Sequence, residues 1–254
     1  MSKDSSSERL EVAIVGQGRL GSTVSSALEE AGHIVHRVSR HQAIPAAPIV
    51  WLTVPDGAIR SVAAQCPTGG VVLHASGASD LTVLEAHASR AGSLHPLMTF
   101  PGGAPPPLPV PAAIEGSPIA RACARQLALA MGWTPFEVSG DRRAYHAAAV
   151  LAGNFATTLL AEAAGVLTAA GVPAGDAPAL LAPLALRSLE NAVRMGPSAA
   201  LTGPVVRNET AVLRDHRAVL AAVRPATVPV YEALVEATQR LAQENAPTIA
   251  NKVD

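Results

Sequence analysis

The chain has 254 residues, 49% of them hydrophobic, with a formal net charge of −1 and two cysteines, Cys66 and Cys123. That is ample apolar sequence for two cores. It is too little positive charge for a nucleic-acid partner held by bulk electrostatics, and too few cysteines for a disulfide framework, which fits a reduced cytoplasmic setting. Residues 1–10 are polar and read as a tail without the apolar centre of a signal peptide, as do residues 248–254 at the other end. No run is expected to reach the roughly 20 apolar residues of a membrane span, so no membrane partner is expected. The only lysines are Lys3 and Lys252, both in the tails. Schiff-base chemistry, a P-loop lysine and a lysine general acid are therefore excluded from the fold.

The first element is the one the rest serves. An apolar run, Val12-Ala13-Ile14-Val15, stops at Gly16 and is followed by Gly16-Gln17-Gly18-Arg19-Leu20-Gly21. A helix-like segment then runs to Ala31-Gly32, and a second apolar run covers Ile34–Val38. Strand, glycine turn, helix and strand within about thirty residues form the dinucleotide-binding pattern. Gly16 permits the tight turn, Gly18 lets backbone approach a pyrophosphate, and Gly21 lets the helix pack on the strand. The helix N-terminus offers N–H groups and a partial positive charge to the phosphates. An NAD binder carries Asp or Glu at the end of the second strand. Here Ser39-Arg40-His41 stands instead, and Arg40 suits a 2′-phosphate, so the expected cofactor is NADP(H). The alternative for Arg40 is a solvated strand end.

Strands alternating with helices continue. Ile49–Val54 is a buried-strand pattern, with Pro55-Asp56 opening a helix. Val71–His74 is the next strand, ending in Ala75-Ser76-Gly77, and Asp80 caps a helix through His87. Gly92–Leu97 is a short strand, Pro101–Pro111 a stiff proline loop, Ala112–Glu115 a strand, Pro118–Met131 a helix and Thr134–Val138 a last strand. This is an α/β, doubly wound, mostly parallel sheet over residues 11–139. After Ser139 strand signals disappear. Helices are expected at Asp141–Ala170 with an interruption near Gly153, at Asp176–Met195, Glu209–Val223 and Pro225–Glu244. Residues 140–247 read as an all-α domain for substrate and dimerisation.

Ligands of open α/β sheets sit outside the carboxyl ends of the strands. Four loops fall there: Gly16–Gly21, Val54–Asp56, Ser76–Ser79 and His95–Phe100. Val54 and Pro55 are expected at the cofactor. Ser76 is either a turn serine or a substrate contact, and His95 is either packed under the proline loop or a proton donor. The segment Tyr145-His146-Ala147-Ala148-Ala149-Val150-Leu151-Ala152-Gly153-Asn154 puts His146 and Asn154 in apolar surroundings, where polar groups need partners. On one helix they would lie about 80° apart and could border one cleft. They either fix helix packing or do chemistry, with His146 delivering a proton. Tyr145, about 100° from His146, is expected to face elsewhere. In the Leu201–Glu209 loop, Thr202 and Arg207 either hold a substrate carboxylate or make an interhelix turn with a structural ion pair. His33, His36 and His41 lack metal spacing, and no metal is expected.

These motifs carry a resemblance over nearly the whole chain: GQGRLG at 16–21, TVPD at 53–56, HASGA at 74–78, SLHPLMTF at 93–100, YHAAAVLAGN at 145–154 and LTGPVVRNE at 201–209. The chain resembles a bacterial family with a Rossmann-like N-terminal part and a helical C-terminal part. Its layout is similar to 6-phosphogluconate-dehydrogenase-like reductases, among them pyrroline-5-carboxylate reductase, and to an alternative type of ketopantoate reductase. The resemblance implies an NADP(H) reductase, dimeric through the helical domain. Common ketopantoate reductases carry a lysine and then an asparagine on the first long helix; here His146 and Asn154 stand in those places.

The expected activity is an NADP(H)-dependent oxidoreductase passing hydride to a small 2-oxo acid or a cyclic imino acid. His146 or His95 supplies the proton and Asn154 orients the polarised oxygen or a water. The alternative is an NADP(H)-sensing binding protein without turnover.

Overall fold

A computed structural model describes residues 9–102 and 105–244. The expected tails at 1–10 and 248–254 lie outside the described residues, apart from Arg9 and Leu10. The chain forms two compact units, Met1–Gly153 and Asn154–Asp254.

The first unit is built on seven strands: β1 (Glu11–Val15), β2 (Ile34–Val38), β3 (Ile49–Leu52), β4 (Val71–His74), β5 (Ala91–Pro96), β6 (Pro111–Gly116) and β7 (Thr134–Glu137). Their order across the sheet is β2-β1-β3-β4-β5-β6-β7. Every neighbouring pair is parallel except β5 and β6, which run antiparallel with Leu94 opposite Ile114. The proline loop before β6 returns the chain without a crossover helix, and only an antiparallel neighbour can be reached that way. The central strands β3 and β4 are buried at every position, the mark of a sheet covered on both faces.

Helices α1 (Arg19–Glu30) and α3 (Pro118–Ala130) cover one face. Val24 and Leu28 of α1, and Ala120, Ala124 and Leu127 of α3, pack with Ile14, Trp51, Leu73 and Leu94. Their three- and four-residue spacing gives each helix one apolar stripe. Helix α2 (Ile59–Ala63) and a 3₁₀ segment, Leu81–Arg90, cover the other face. There Ile59, Ala63 and Leu84 pack with Val15, Val50, Leu52 and Val72. The expected α-helix after Asp80 is 3₁₀, although Asp80 does cap it by accepting from the Thr82 N–H. Helix α4 (Arg142–Ala152) closes the unit, with Asp141 capping its first turn.

The second unit contains α5 (Asn154–Ala169), α6 (Ala177–Met195), the single turn α7 (Pro197–Ala200), α8 (Thr210–Val223) and α9 (Val228–Gln243). A groove of about 570 Å³ runs between α5, α6, α8 and α9, lined by Leu159, Val166, Leu181, Leu220, Val230 and Leu234. At its end the Arg224 guanidinium pairs with Glu162 at 2.9 Å, and the Thr227 hydroxyl donates to the same carboxylate. Gly165 makes room for this pair, since a Cβ there would meet the Arg224 guanidinium. Large apolar side chains stay exposed on α6, Val193 at 90%.

The helical stretch Arg142–Ala169, 28 residues broken at Gly153, is by length and composition long and apolar enough to cross a membrane. Thr157, Thr158 and Glu162 interrupt its apolar run.

Candidate functional site

The chain leaves β1 to one side to form β2 and returns to the other side to form β3. The carboxyl ends of β1 and β3 are therefore the switch point of the sheet, where open α/β folds take their ligands. Gly16 lies there with φ +101°, a left-handed conformation that glycine adopts without strain. The Thr53 hydroxyl donates to the Gly16 carbonyl at 2.7 Å and also reaches the Val15 carbonyl at 3.1 Å. A Cβ at Gly21 would collide with the Gly16 carbonyl and come within 2.6 Å of the Thr53 hydroxyl. Those two glycines are demanded by the fold itself.

Gly18 is different. Its φ is −72° and a Cβ built on it meets nothing within 4 Å. Nothing inside the described residues requires glycine at 18, and its backbone lies open to a ligand approaching from outside. Gly18 is also the N-cap of α1, which has no side-chain cap and no acidic residue in its first turn. The orphan N–H groups and the positive end of the helix dipole are left for an anion. Arg19 is exposed at the helix start, and Gln17 donates from its side chain to the Ile14 carbonyl at 3.0 Å. Leu20 is half-buried against the sheet core. These residues fit a dinucleotide pyrophosphate.

After β2, Ser39 donates its N–H to Gln42 Oε1 at 2.6 Å, and His41 has φ +70°. This tight turn leaves Arg40 exposed, without an ion-pair partner among the described residues. Val54 is half-buried and packs on the α2 face, and Pro55 is exposed ahead of Asp56.

The polar cluster lies at the carboxyl ends of β4 and β5, under α4. Arg142, Tyr145 and His146 are spaced i, i+3, i+4 and share one helix face. The buried Arg142 guanidinium pairs with Glu115 at 2.9 Å and donates to the Ser76 carbonyl at 2.6 Å. It also lies 5.7 Å from the centre of the Tyr145 ring. The Tyr145 hydroxyl is 2.6 Å from His95 Nδ1. Gly77 receives both imidazoles: a Cβ there would be 2.8 Å from His95 Nε2 and 2.7 Å from His146 Cδ2. His95 and His146 thus converge on one turn rather than facing each other across a cleft.

The Ser76 hydroxyl is engaged within the chain. It donates to Asp56 Oδ2 at 2.8 Å and accepts from the N–H groups of Ala78 and Ser79 at 3.2 and 2.9 Å. This is the turn-serine role, and it ties the loop after β4 to the loop after β3. Beneath it His74 is fully buried and its Nδ1 accepts from the Ser76 N–H at 3.2 Å. An amide can only donate, so neutral His74 carries its proton on Nε2. That Nε2, the Ser93 hydroxyl and Arg142 Nε are buried without hydrogen-bond partners among the described residues. Ser93 is the direct β-partner of both His74 and Glu115, which makes a polar row across the sheet.

Burial, the neighbouring Arg142 charge and His95 push the His74 imidazole down to about 3. Burial, Arg142 and His146 likewise bring His95 down to about 4, against an opposing pull from Asp56. Burial pushes the Tyr145 phenol up. At neutral pH the His95–Tyr145 pair is uncharged.

Asn154, Thr202 and Arg207 belong to the second unit. Helix α4 ends at Ala152 and Asn154 begins α5, so the 80° separation reckoned on a continuous helix does not apply. Asn154 and Thr202 are exposed, and the Arg207 guanidinium pairs with both oxygens of Glu209 at 2.7 and 3.1 Å. Among the described residues no group of three or more His, Cys, Asp or Glu side chains could hold a metal ion. His33 instead accepts from the Leu10 N–H, and His36 meets Glu11.

Three residues of this site were not anticipated. Tyr145, expected to face elsewhere, is bonded to His95. Arg142 was given no role by the sequence, and Asp56 was read only as a helix start within the Val54–Asp56 loop. The i, i+3, i+4 spacing of Arg142, Tyr145 and His146 is the sequence signal that puts all three on one face, with Arg142 between the other two.

A family model described as Domain of unknown function (DUF2520) matches residues 110–238. No curated protein matches the chain by sequence. Among solved structures, a Bacteroides fragilis protein proposed to be an NADP oxidoreductase superposes with TM-score 0.77 at 22% identity, over 92% of this chain and 100% of that one. A reductive aminase from Aspergillus terreus in complex with NADPH gives 0.65 at 17%, over 93% and 95%. A 1-pyrroline-5-carboxylate reductase from Streptococcus pyogenes gives 0.62 at 14%, over 93% and 99%. At these identities the likeness is one of fold.

Proposed function

The chain belongs to the family described as Domain of unknown function (DUF2520), whose model spans half of it, and we propose that it is an NADP(H)-dependent oxidoreductase that reduces a small 2-oxo acid or a cyclic imine. The observation that carries the reading is Gly18: open, unstrained and capping a helix without a side-chain cap at the switch point. The Bacteroides fragilis and Aspergillus terreus proteins, named for NADP and NADPH, share this fold and support the same cofactor.

Residues 16–21 hold the pyrophosphate, Ser39 and Arg40 the 2′-phosphate, and Val54 and Pro55 the dinucleotide beyond the switch point. When bound, the dinucleotide supplies the hydride. The chain's own residues bind, orient and protonate. Burial and Arg142 hold His95 down to about 4, which favours His146, the other imidazole at Gly77, for proton delivery. Arg142, held by Glu115, keeps α4 on the sheet so that both rings stay at that turn. Asn154, Thr202 and Arg207 are the proposed contacts to the substrate. For Arg207 to bind a carboxylate it must release Glu209, an exchange of one bidentate pair for another. The protein works in the cytoplasm as a homodimer joined by its helical unit.

The test is NADPH consumption across a panel of 2-oxo acids and cyclic imines. Turnover of any member supports the reading. Stoichiometric NADPH binding without consumption of any member overturns it in favour of an NADP(H)-sensing protein.

A further inference from the structure

We infer that Tyr145 is a positioning residue that fixes His95 as the Nε2–H tautomer and aims that N–H past Gly77 as a neutral hydrogen-bond donor to the substrate. The inference rests on the reductase reading, but its test is read without cofactor.

The geometry leaves one economical arrangement. The Tyr145 hydroxyl and His95 Nδ1 are 2.6 Å apart, and neither has another hydrogen-bond partner among the described residues. If Nδ1 carried the proton it would donate to the phenol oxygen. The phenol O–H would then lack an acceptor, and the Nε2 lone pair would lack a donor. If the phenol donates to Nδ1, the phenol O–H is paired and the single open hydrogen-bonding proton is Nε2–H. Half-buried polar groups settle in the arrangement that leaves fewest unpaired. The other buried imidazole of the site has the same form, with His74 Nδ1 bonded by the Ser76 N–H.

The direction of the free N–H follows from Gly77, whose missing Cβ leaves His95 Nε2 2.8 Å from the position a side chain would fill. Any other residue at 77 would cover that nitrogen and crowd His146 as well. The Tyr145 ring is itself held, edge-on to His95 with centroids 5.6 Å apart, tilted against Phe136 at 6.3 Å and under the Arg142 guanidinium. The charged and titratable groups around His95 are Arg142, His146, Asp56, His74 and Tyr145. Arg142 and burial keep the imidazole from charging, so it can polarise a C=O or C=N bond without itself giving up a proton.

Two neighbouring histidines then take different roles. His95 steadies the negative charge that develops on oxygen or nitrogen, and His146 delivers the proton. A neutral donor of this kind would leave no limb of its own in a pH–rate profile near neutrality.

The experiment is a long-range ¹H–¹⁵N correlation of the histidine side chains in ¹⁵N-histidine-labelled full-length protein without cofactor at pH 7, with His95 assigned through His95→Gln. The expected wild-type signature is a protonated, pyrrole-type Nε2 and an unprotonated, pyridine-type Nδ1. Tyr145→Phe, which removes only the hydroxyl, should move Nδ1 toward the pyrrole-type value as the other tautomer becomes populated. Phe136→Leu, which loosens the packing of the Tyr145 ring and leaves its hydroxyl, should keep the wild-type signature. A protonated Nδ1 in the wild type, or a Tyr145→Phe spectrum identical to wild type, overturns the inference. Either result would stand whether or not NADPH is consumed, so the two proposals fail separately.

Discussion

The Thr53 hydroxyl donates to the Gly16 carbonyl oxygen at 2.7 Å, tying the end of β3 to the end of β1 where the strand order reverses. Only glycine fits at position 21, because this pair leaves no room for a Cβ. Gly21→Ala should therefore destabilise the fold by overpacking, on the order of 1–3 kcal/mol. Gly18→Val should cost about 1 kcal/mol as a poorer N-cap, yet abolish NADPH binding. Urea denaturation with NADPH titration separates the two. Equal stability losses, or NADPH affinity preserved in a folded Gly18→Val protein, would refute the division between fold glycines and ligand glycine.

The turn after β2 gives the next prediction. Arg40 is exposed with no ion-pair partner among the described residues, and no carboxylate stands at Ser39 or His41. NADPH should bind more tightly than NADH, and Arg40→Ala should erase the difference, about 1.5–3 kcal/mol for a charged hydrogen bond. Calorimetric titration with both dinucleotides checks it. Equal dissociation constants in the wild type would remove the assignment of the 2′-phosphate.

How legible this was depended on how local each signal is. The β1–α1–β2 unit announces itself because glycine spacing and apolar runs lie within one short segment. The mostly parallel sheet followed from alternation of strands and helices. The reversal at β6 was not legible, because a proline loop does not encode the direction in which its far end pairs. The partners of His95 were harder still. Tyr145 lies fifty positions along the chain, and only the packing of α4 on the sheet brings the two together. The engagement of Ser76 with Asp56 likewise depends on two loops from different strands meeting.

The buried imidazoles predict a dependence of stability on pH. His74 and His95 are lowered from 6.5 to about 3 and about 4. The unfolded chain therefore binds more protons than the folded one below pH 6.5, and stability falls as the pH falls through the window from 6.5 toward 4. A tenfold difference in proton affinity between the folded and unfolded chain is worth about 1.36 kcal/mol, so the loss should be on the order of several kcal/mol. His74→Asn keeps an acceptor for the Ser76 N–H and removes one titration. Urea denaturation at stepped pH should give it a shallower slope than wild type. Identical slopes would show that His74 charges as readily in the fold as in the unfolded chain.

Helix α6 exposes Leu180 at 62%, Leu184 at 68% and Val193 at 90%. Apolar faces of this size on one unit usually mark an interface, and a closed two-fold pair of copies is the commonest way to cover them. Light scattering at micromolar concentration should report a homodimer. Leu180→Glu with Leu184→Glu should shift it to monomer, with the far-ultraviolet circular dichroism of the first unit's sheet retained. A wild-type monomer would end the idea.

The last prediction concerns His146. No lysine lies among the described residues, and the Arg142 and Arg143 guanidinium groups are paired with Glu115 and Asp141. The Ser76 hydroxyl is spent on Asp56 and the Tyr145 hydroxyl on His95. His95 is held at about 4 by burial and Arg142, so at pH 7 it has no spare proton to give and recover. His146, half-buried against Gly77, is the group left. A general acid contributes typically 10²- to 10⁴-fold. His146→Gln should lower kcat by about that factor with a near-normal Kd for NADPH, because the glycine loop is untouched. His95→Gln should also lower the rate, since it removes the other imidazole at Gly77. A folded His146→Gln enzyme with wild-type turnover would hand proton delivery to water.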